Sequence, residues 1–94
     1  MIKVLKEMDK ITISGHAGYK DTNDIVCASV SSIMYTTVNA IFNLNKDAIT
    51  FTDDGKECSI IINNKDDITE SLLDNMMIML EDVKRQYPSN IEIK

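Results

Sequence analysis

Basic runs, histidine and paired cysteines are all scarce in this 94-residue sequence, and each scarcity narrows its chemistry. No basic run is longer than Lys84-Arg85 and the formal net charge is -5. The clustered Lys and Arg that phosphate contacts require are missing, so no direct nucleic-acid partner is expected. An acidic surface instead favours basic partners, at the level of encounter rate. Met1 to Lys10 carries charges where a signal peptide needs an apolar stretch. No apolar run approaches the roughly 20 residues that span a bilayer, so the expected location is the cytoplasm, with no membrane partner. One histidine and two distant cysteines, Cys27 and Cys58, offer no C-x-x-C spacing, so neither a metal site nor a cofactor is expected. Without a secretory signal the two cysteines read as reduced thiols in a reducing compartment. Asp53, Asp54, Asp66 and Asp67 lack calcium-loop spacing and read as turn and cap residues.

What is present describes an ordinary folded chain. Hydrophobic residues make up 44% and charged residues 27%, which suits a globular protein rather than a disordered one. The length fits one domain over residues 1–94, with no linker, repeat or low-complexity stretch. Alternating apolar residues predict strands over Ile2–Glu7 and Lys10–Ser14. A helix is expected from Asp24 to Asn43, capped by Asn23 or Asp24, with Cys27, Val30, Met34, Val38 and Ile41 forming one apolar stripe. Ala48–Thr52 and Lys56–Asn63 form a hairpin around Asp54-Gly55. A second helix spans Asp67–Gln86, with Asp67 and Glu70 spaced as a capping box and Pro88 ending it; Ile91–Lys94 is a last short strand. The order β-β-α-β-β-α-β indicates an α+β fold: one mixed sheet with two helices packed against it. In the second helix Met76-Met77-Ile78-Met79-Leu80 is apolar around most of the cylinder, wider than one core stripe needs. A Met-rich excess face suits an adaptable contact surface, and a homodimer is one reading; deep burial by the sheet and the other helix is the alternative.

The chemistry-bearing stretch is Gly15-His16-Ala17-Gly18, followed by Asp24-Ile25-Val26-Cys27-Ala28-Ser29-Val30-Ser31. His16 stands at a strand end and Cys27 in the first turn of a helix, where partial positive charge from unpaired amides favours thiolate over thiol. A nearby imidazole takes the thiol proton and completes an activated nucleophile. The plainer reading is also open: Cys27 lies on the apolar stripe, where cysteines are often buried, and His16 is a solvated loop residue. A thiol redox sensor would use an exposed Cys27 without hydrolysis, and Cys58, in mid-strand, reads as core.

The G-H-A of Gly15-His16-Ala17 and the D-I-V-C-A-S-V-S of Asp24 to Ser31 resemble the signature of the ribosomal-processing cysteine protease family Prp. The closing Tyr87-Pro88-Ser89-Asn90-Ile91-Glu92-Ile93 and the element order are similar to that family too, so the resemblance covers essentially the whole chain. It implies a cysteine endopeptidase that removes the N-terminal extension of the precursor of large-subunit ribosomal protein L-twenty-seven, with that peptide as partner and a homodimeric state. It implies Cys27 as nucleophile and His16 as general base. Gly15, Asp24 and Ser31 are matched as supporting positions, Asp24 capping the helix and Ser31 hydrogen bonding near the site. The loop between His16 and Cys27 is slightly shorter than in some members; Gly15 and Gly18 would let it move as a lid over bound peptide. A non-catalytic, ribosome-associated peptide-binding or assembly factor using the same groove is the alternative.

Overall fold

Alternation of apolar and polar residues builds the sheet. In β1 (Ile2–Lys6) and β2 (Lys10–Ser14), the side chains of Ile2, Val4, Ile11 and Ile13 are buried while their neighbours are more exposed, the period of two that a one-sided sheet imposes. The computed structural model describes residues 1–15 and 24–94, the side chain of Asp24 excepted. After β2 come α1 (Asp24–Leu44), β3 (Ile49–Asp53), β4 (Glu57–Ile62), α2 (Asp67–Gln86) and β5 (Ile91–Ile93). The expected order holds, and each boundary falls within one residue of its sequence-based position.

The five strands form one sheet in the spatial order β3-β4-β2-β1-β5. β5 runs parallel to β1 and the other three pairings are antiparallel, so the sheet is mixed. Register places Ile93, Val4, Ile13, Cys58 and Asp53 in one row across it. The buried strand residues form a single core with Val26, Val30, Met34, Val38 and Ile41 of α1 and Leu73, Met76, Leu80 and Val83 of α2. Both helices therefore cover the same face of the sheet and pack against each other.

α1 corrects one expectation. Ile25–Leu44 has a mean hydropathy of 1.6 and is, by length and composition, apolar enough to cross a membrane. Interleaved Ser, Thr and Asn residues hide this in a search for uninterrupted apolar runs. Two of its hydroxyls are answered within the helix: those of Ser29 and Thr37 donate to the carbonyls of Ile25 and Ile33, each at 2.8 Å. Its apolar stripe is core.

Two local signals shift by one residue. α2 is capped by Asp66, whose side chain accepts from the Thr69 amide at 2.8 Å, and not by a box built from Asp67 and Glu70. That bond holds the Asp66 carboxyl below the usual carboxylate range. The β3–β4 turn is centred on Gly55-Lys56 and not on Asp54-Gly55, because the Asp54 carboxylate accepts from the Glu57 and Lys56 amides at 2.8 and 2.9 Å and closes the loop itself. These same bonds depress the Asp54 carboxyl, and only the first central residue, Gly55, takes a positive φ of 87°. In α2, Met76 and Leu80 are buried and Met77 is partly so, whereas Ile78 and Met79 face outward. The Met-rich run is thus shared between the core and the surface.

The chain path sets the two ends of the sheet. The carbonyl of Asp9 accepts from the amide of Ile62, and that of Ala48 from the amides of Asn63 and Asn64, so these turns and the end of α1 share one end. Gly15, the β3–β4 turn and the start of α1 lie toward the other. Gly15 is locked there and is not a free hinge: its φ is 84°, and a Cβ would lie 2.2 Å from the Met1 carbonyl oxygen. Gly55 has a similar φ but open space around it. Gly55→Ala should therefore cost only the left-handed penalty, about 1–2 kcal/mol. Gly15→Ala should cost clearly more, because backbone must move as well. Urea unfolding of both variants checks this ranking, and equal losses would contradict it.

Candidate active site

Cys27 is the fourth residue of α1, and the amides of this opening turn lack partners four residues back in the helix. The helical period that carries Val30, Met34, Val38 and Ile41 into the core carries Cys27 to the side of the same stripe. Val26 takes the buried first-turn position of that stripe at 1% exposure, so Cys27 lies on the stripe's flank, half-buried and packed against the core on one side. Ser31, one turn on, is also half-buried. The site is thus held by a rigid element whose deeper turns are anchored.

The other sequence-predicted positions are placed unevenly. Asp24 is the first residue of α1; its side chain and Asn23, the two candidates for capping the helix, lie outside the described residues. Gly15 directly follows β2, beside the backbone of Met1 and Ile2. His16, which follows it, lies outside the described residues, as do Gly18 and the rest of the 17–23 loop. The structure brings the end of β2 and the start of α1 to the same end of the sheet, and the imidazole–thiol geometry is not part of the described residues. Among the described residues no group of three or more His, Cys, Asp or Glu side chains is arranged to hold a metal ion.

The two cysteines occupy different environments. Cys58 is buried in mid-sheet, paired with Ile13 on one side and Asp53 on the other. Burial, reinforced by the Asp53 carboxylate, pushes its thiol up to about 11, which keeps it protonated and unreactive near neutrality. Neither cysteine is in a disulfide.

One feature escaped sequence reasoning. The Tyr35 hydroxyl donates to the Asp53 carboxylate at 2.6 Å, tying α1 to the edge strand β3. The Tyr35 ring also meets Phe51 edge-to-face, with centroids 5.5 Å apart and planes at 77°. The bond to Asp53 raises the phenol's pKa, so Tyr35 remains a donor at any ordinary pH. Tyr35 lies eight residues after Cys27, about two turns down the same flank of the helix. The only sequence signal was that spacing, because nothing in the strand pattern aims Asp53 back at a helix.

A family model described as cysteine protease Prp matches residues 1–92. The ribosomal processing cysteine protease Prp of Staphylococcus aureus (strain Mu50) is 29% identical over 87 residues, covering 88% of this chain and 82% of that protein. Among solved structures, the essential ribosomal processing protease Prp from S. aureus in complex with a substrate peptide superposes with a TM-score of 0.85 at 24% identity, over 99% of this chain and 95% of that one. The same protease with a covalently linked product peptide gives 0.81 at 25% identity with the same coverage. The β-β-α-β-β-α-β order and five-stranded mixed sheet described above are therefore those of a known protease fold. Matched along nearly all of its length, and presenting a half-buried cysteine in the opening turn of its first helix, this chain belongs to the cysteine protease Prp family of ribosomal processing enzymes.

Proposed function

We propose that this protease removes the N-terminal extension of the ribosomal protein L-twenty-seven precursor, with Cys27 as nucleophile and His16 as general base. The observation that carries the assignment is the contrast between the thiols. Cys27 is half-buried at a helix start, where the positive end of the helix dipole favours a thiolate, and Cys58 is sealed in the sheet with a raised pKa. The motif Gly15-His16-Ala17 with Asp24 to Ser31 supplies the second partner.

In the proposed reaction His16 accepts the Cys27 proton, and the thiolate sulfur attacks the scissile carbonyl carbon. Backbone amides of the opening turn stabilise the oxyanion. The C–N bond then breaks as the His16 imidazolium gives its proton to the leaving amine, which leaves a thioester on Cys27. Water, deprotonated by His16, attacks the thioester; the C–S bond breaks, the extension leaves with a new C-terminal carboxylate, and the Cys27 sulfur regains the proton shared with His16. Gly15, with a φ of 84° and the Met1 carbonyl close by, fixes the exit of the chain from β2. Ser31 supports the site from the next turn of α1, and Asp24 opens the helix. The net charge of -5 suits a basic ribosomal-protein tail. The cytoplasm, where ribosomal proteins are made, is the proposed location, and no nucleic acid or membrane takes part.

We further propose a homodimer through the outward face of α2, where Ile78 is 61% and Met79 43% exposed.

Two outcomes are expected. With an extended precursor peptide, Cys27→Ala should lower cleavage at least about 10³-fold, while Cys58→Ala still cuts. Mass analysis of the products checks it, and undiminished cleavage by Cys27→Ala would remove Cys27 from the mechanism. In sedimentation, the chain should run as a dimer and the double variant Ile78→Lys with Met79→Lys as a monomer. A monomeric unmodified chain at high concentration would contradict the α2 interface.

A further inference from the structure

Among the described residues β3 is an edge strand with few of the devices that usually close an edge, the terminal Asp53 being its one charge. It lies at one end of the sheet order, its residues Ile49-Thr50-Phe51-Thr52-Asp53 include no proline, lysine or glycine, and its register with β4 is unbroken by a bulge. Edges are commonly blunted because their main-chain groups recruit a further strand. The opposite edge is blunted: β5 has three residues, with Pro88 shortly before it and Lys94 directly after.

Parity decides which main-chain groups of β3 look outward. The Asn63 amide donates to the Ala48 carbonyl at 2.8 Å, and the Asp54 amide donates to the Glu57 carbonyl at 3.2 Å. With that register, residues 48, 50, 52 and 54 bond inward to β4. The amides and carbonyls of Ile49 and Phe51 face the other way, where no further described strand pairs with them.

This edge lies beside the flank of α1 that bears the candidate nucleophile. Cys27, Ser31 and Tyr35 succeed one another at intervals of four residues, and Tyr35 is fastened to β3 by its bond to Asp53 and its contact with Phe51. From Tyr35 to Cys27 the helix rises about 12 Å at ~1.5 Å per residue. An extended chain covers that length in about four residues.

We propose that the substrate peptide binds as a sixth strand on the outer edge of β3, its main chain bonded to Ile49 and Phe51, and runs on past Asp53 to Cys27. It rests on the reading of Cys27 as the nucleophile of a peptidase. The ligand class is an extended polypeptide, because the groups on offer are alternating main-chain donors and acceptors. The paired stretch of substrate lies about four to nine residues from the scissile bond, so its contribution is to binding and not to the bond-breaking step.

The test is amide hydrogen exchange, read residue by residue by NMR, on the unmodified chain with a precursor peptide whose scissile bond is replaced by a reduced, uncleavable isostere. Exchange at Ile49 and Phe51 should slow at least about tenfold on saturation, while Thr50 and Thr52, already bonded to β4, change little. In parallel, single backbone N-methyl groups are walked along the cleavable peptide. Every second position in the paired stretch should raise KM about tenfold with kcat nearly unchanged, the intervening positions having little effect. Saturation by peptide with no slowing at Ile49 and Phe51, or a walk without alternation, overturns the proposal. So does slowing that follows protein concentration and not peptide, which would mean that β3 pairs with a second copy. Cleavage of the unmethylated peptide is measured alongside, so a failed edge is distinguishable from a failed peptidase.

Discussion

The burial of one apolar stripe on α1 is the constraint on which the rest of the molecule depends. Val30, Met34, Val38 and Ile41 fill the space between the sheet and α2, and none of them is more than 2% exposed. At roughly 1.5–3 kcal/mol for each large apolar side chain removed from water, this stripe is a large share of what holds so small a domain together. Val26 continues the buried stripe into the first turn, and Cys27 sits beside it, partly buried against the same core. The interaction that stabilises the fold therefore also sets the azimuth of the thiol, with no separate structure required to aim it.

The electrostatics follow from depth. Two thiols of the same intrinsic acidity are separated by where the chain puts them: Cys58 buried in β4 beside a carboxylate of the edge strand, Cys27 at a helix start. The first environment suppresses the thiolate, and the second is the kind of position that the proposed nucleophile requires. The Tyr35–Asp53 bond joins these regions, since Asp53 both accepts from Tyr35 and adds to the raised pKa of Cys58. Charge at the edge strand is thus coupled to the helix that carries Cys27.

Much of this was legible in the sequence, for a physical reason. The strands alternate cleanly, both helices repeat at the helical period, and Gly, Pro and Asp punctuate the turns, so element order and boundaries could be read to within a residue. Errors arose where a side chain competed with a neighbour for the same backbone amide. Asp66 outcompeted Asp67 as cap, and Asp54 closed the turn from outside it. The membrane-like apolarity of α1 was missed because Ser29 and Thr37 look polar in the sequence but spend their hydroxyls on their own helix. Strand order and the Tyr35–Asp53 bond depend on contacts between residues distant in sequence, which no local period records.

The central claim is that Cys27 is activated by its position and by His16. The most direct measurement is the rate of alkylation of Cys27 as a function of pH, in the unmodified chain and in His16→Ala. The expected result is a reactive thiolate persisting well below the ordinary thiol pKa of about 8.5, with the profile moving to higher pH when His16 is removed. A profile that rises only near or above that value, and is the same in both proteins, would contradict the account.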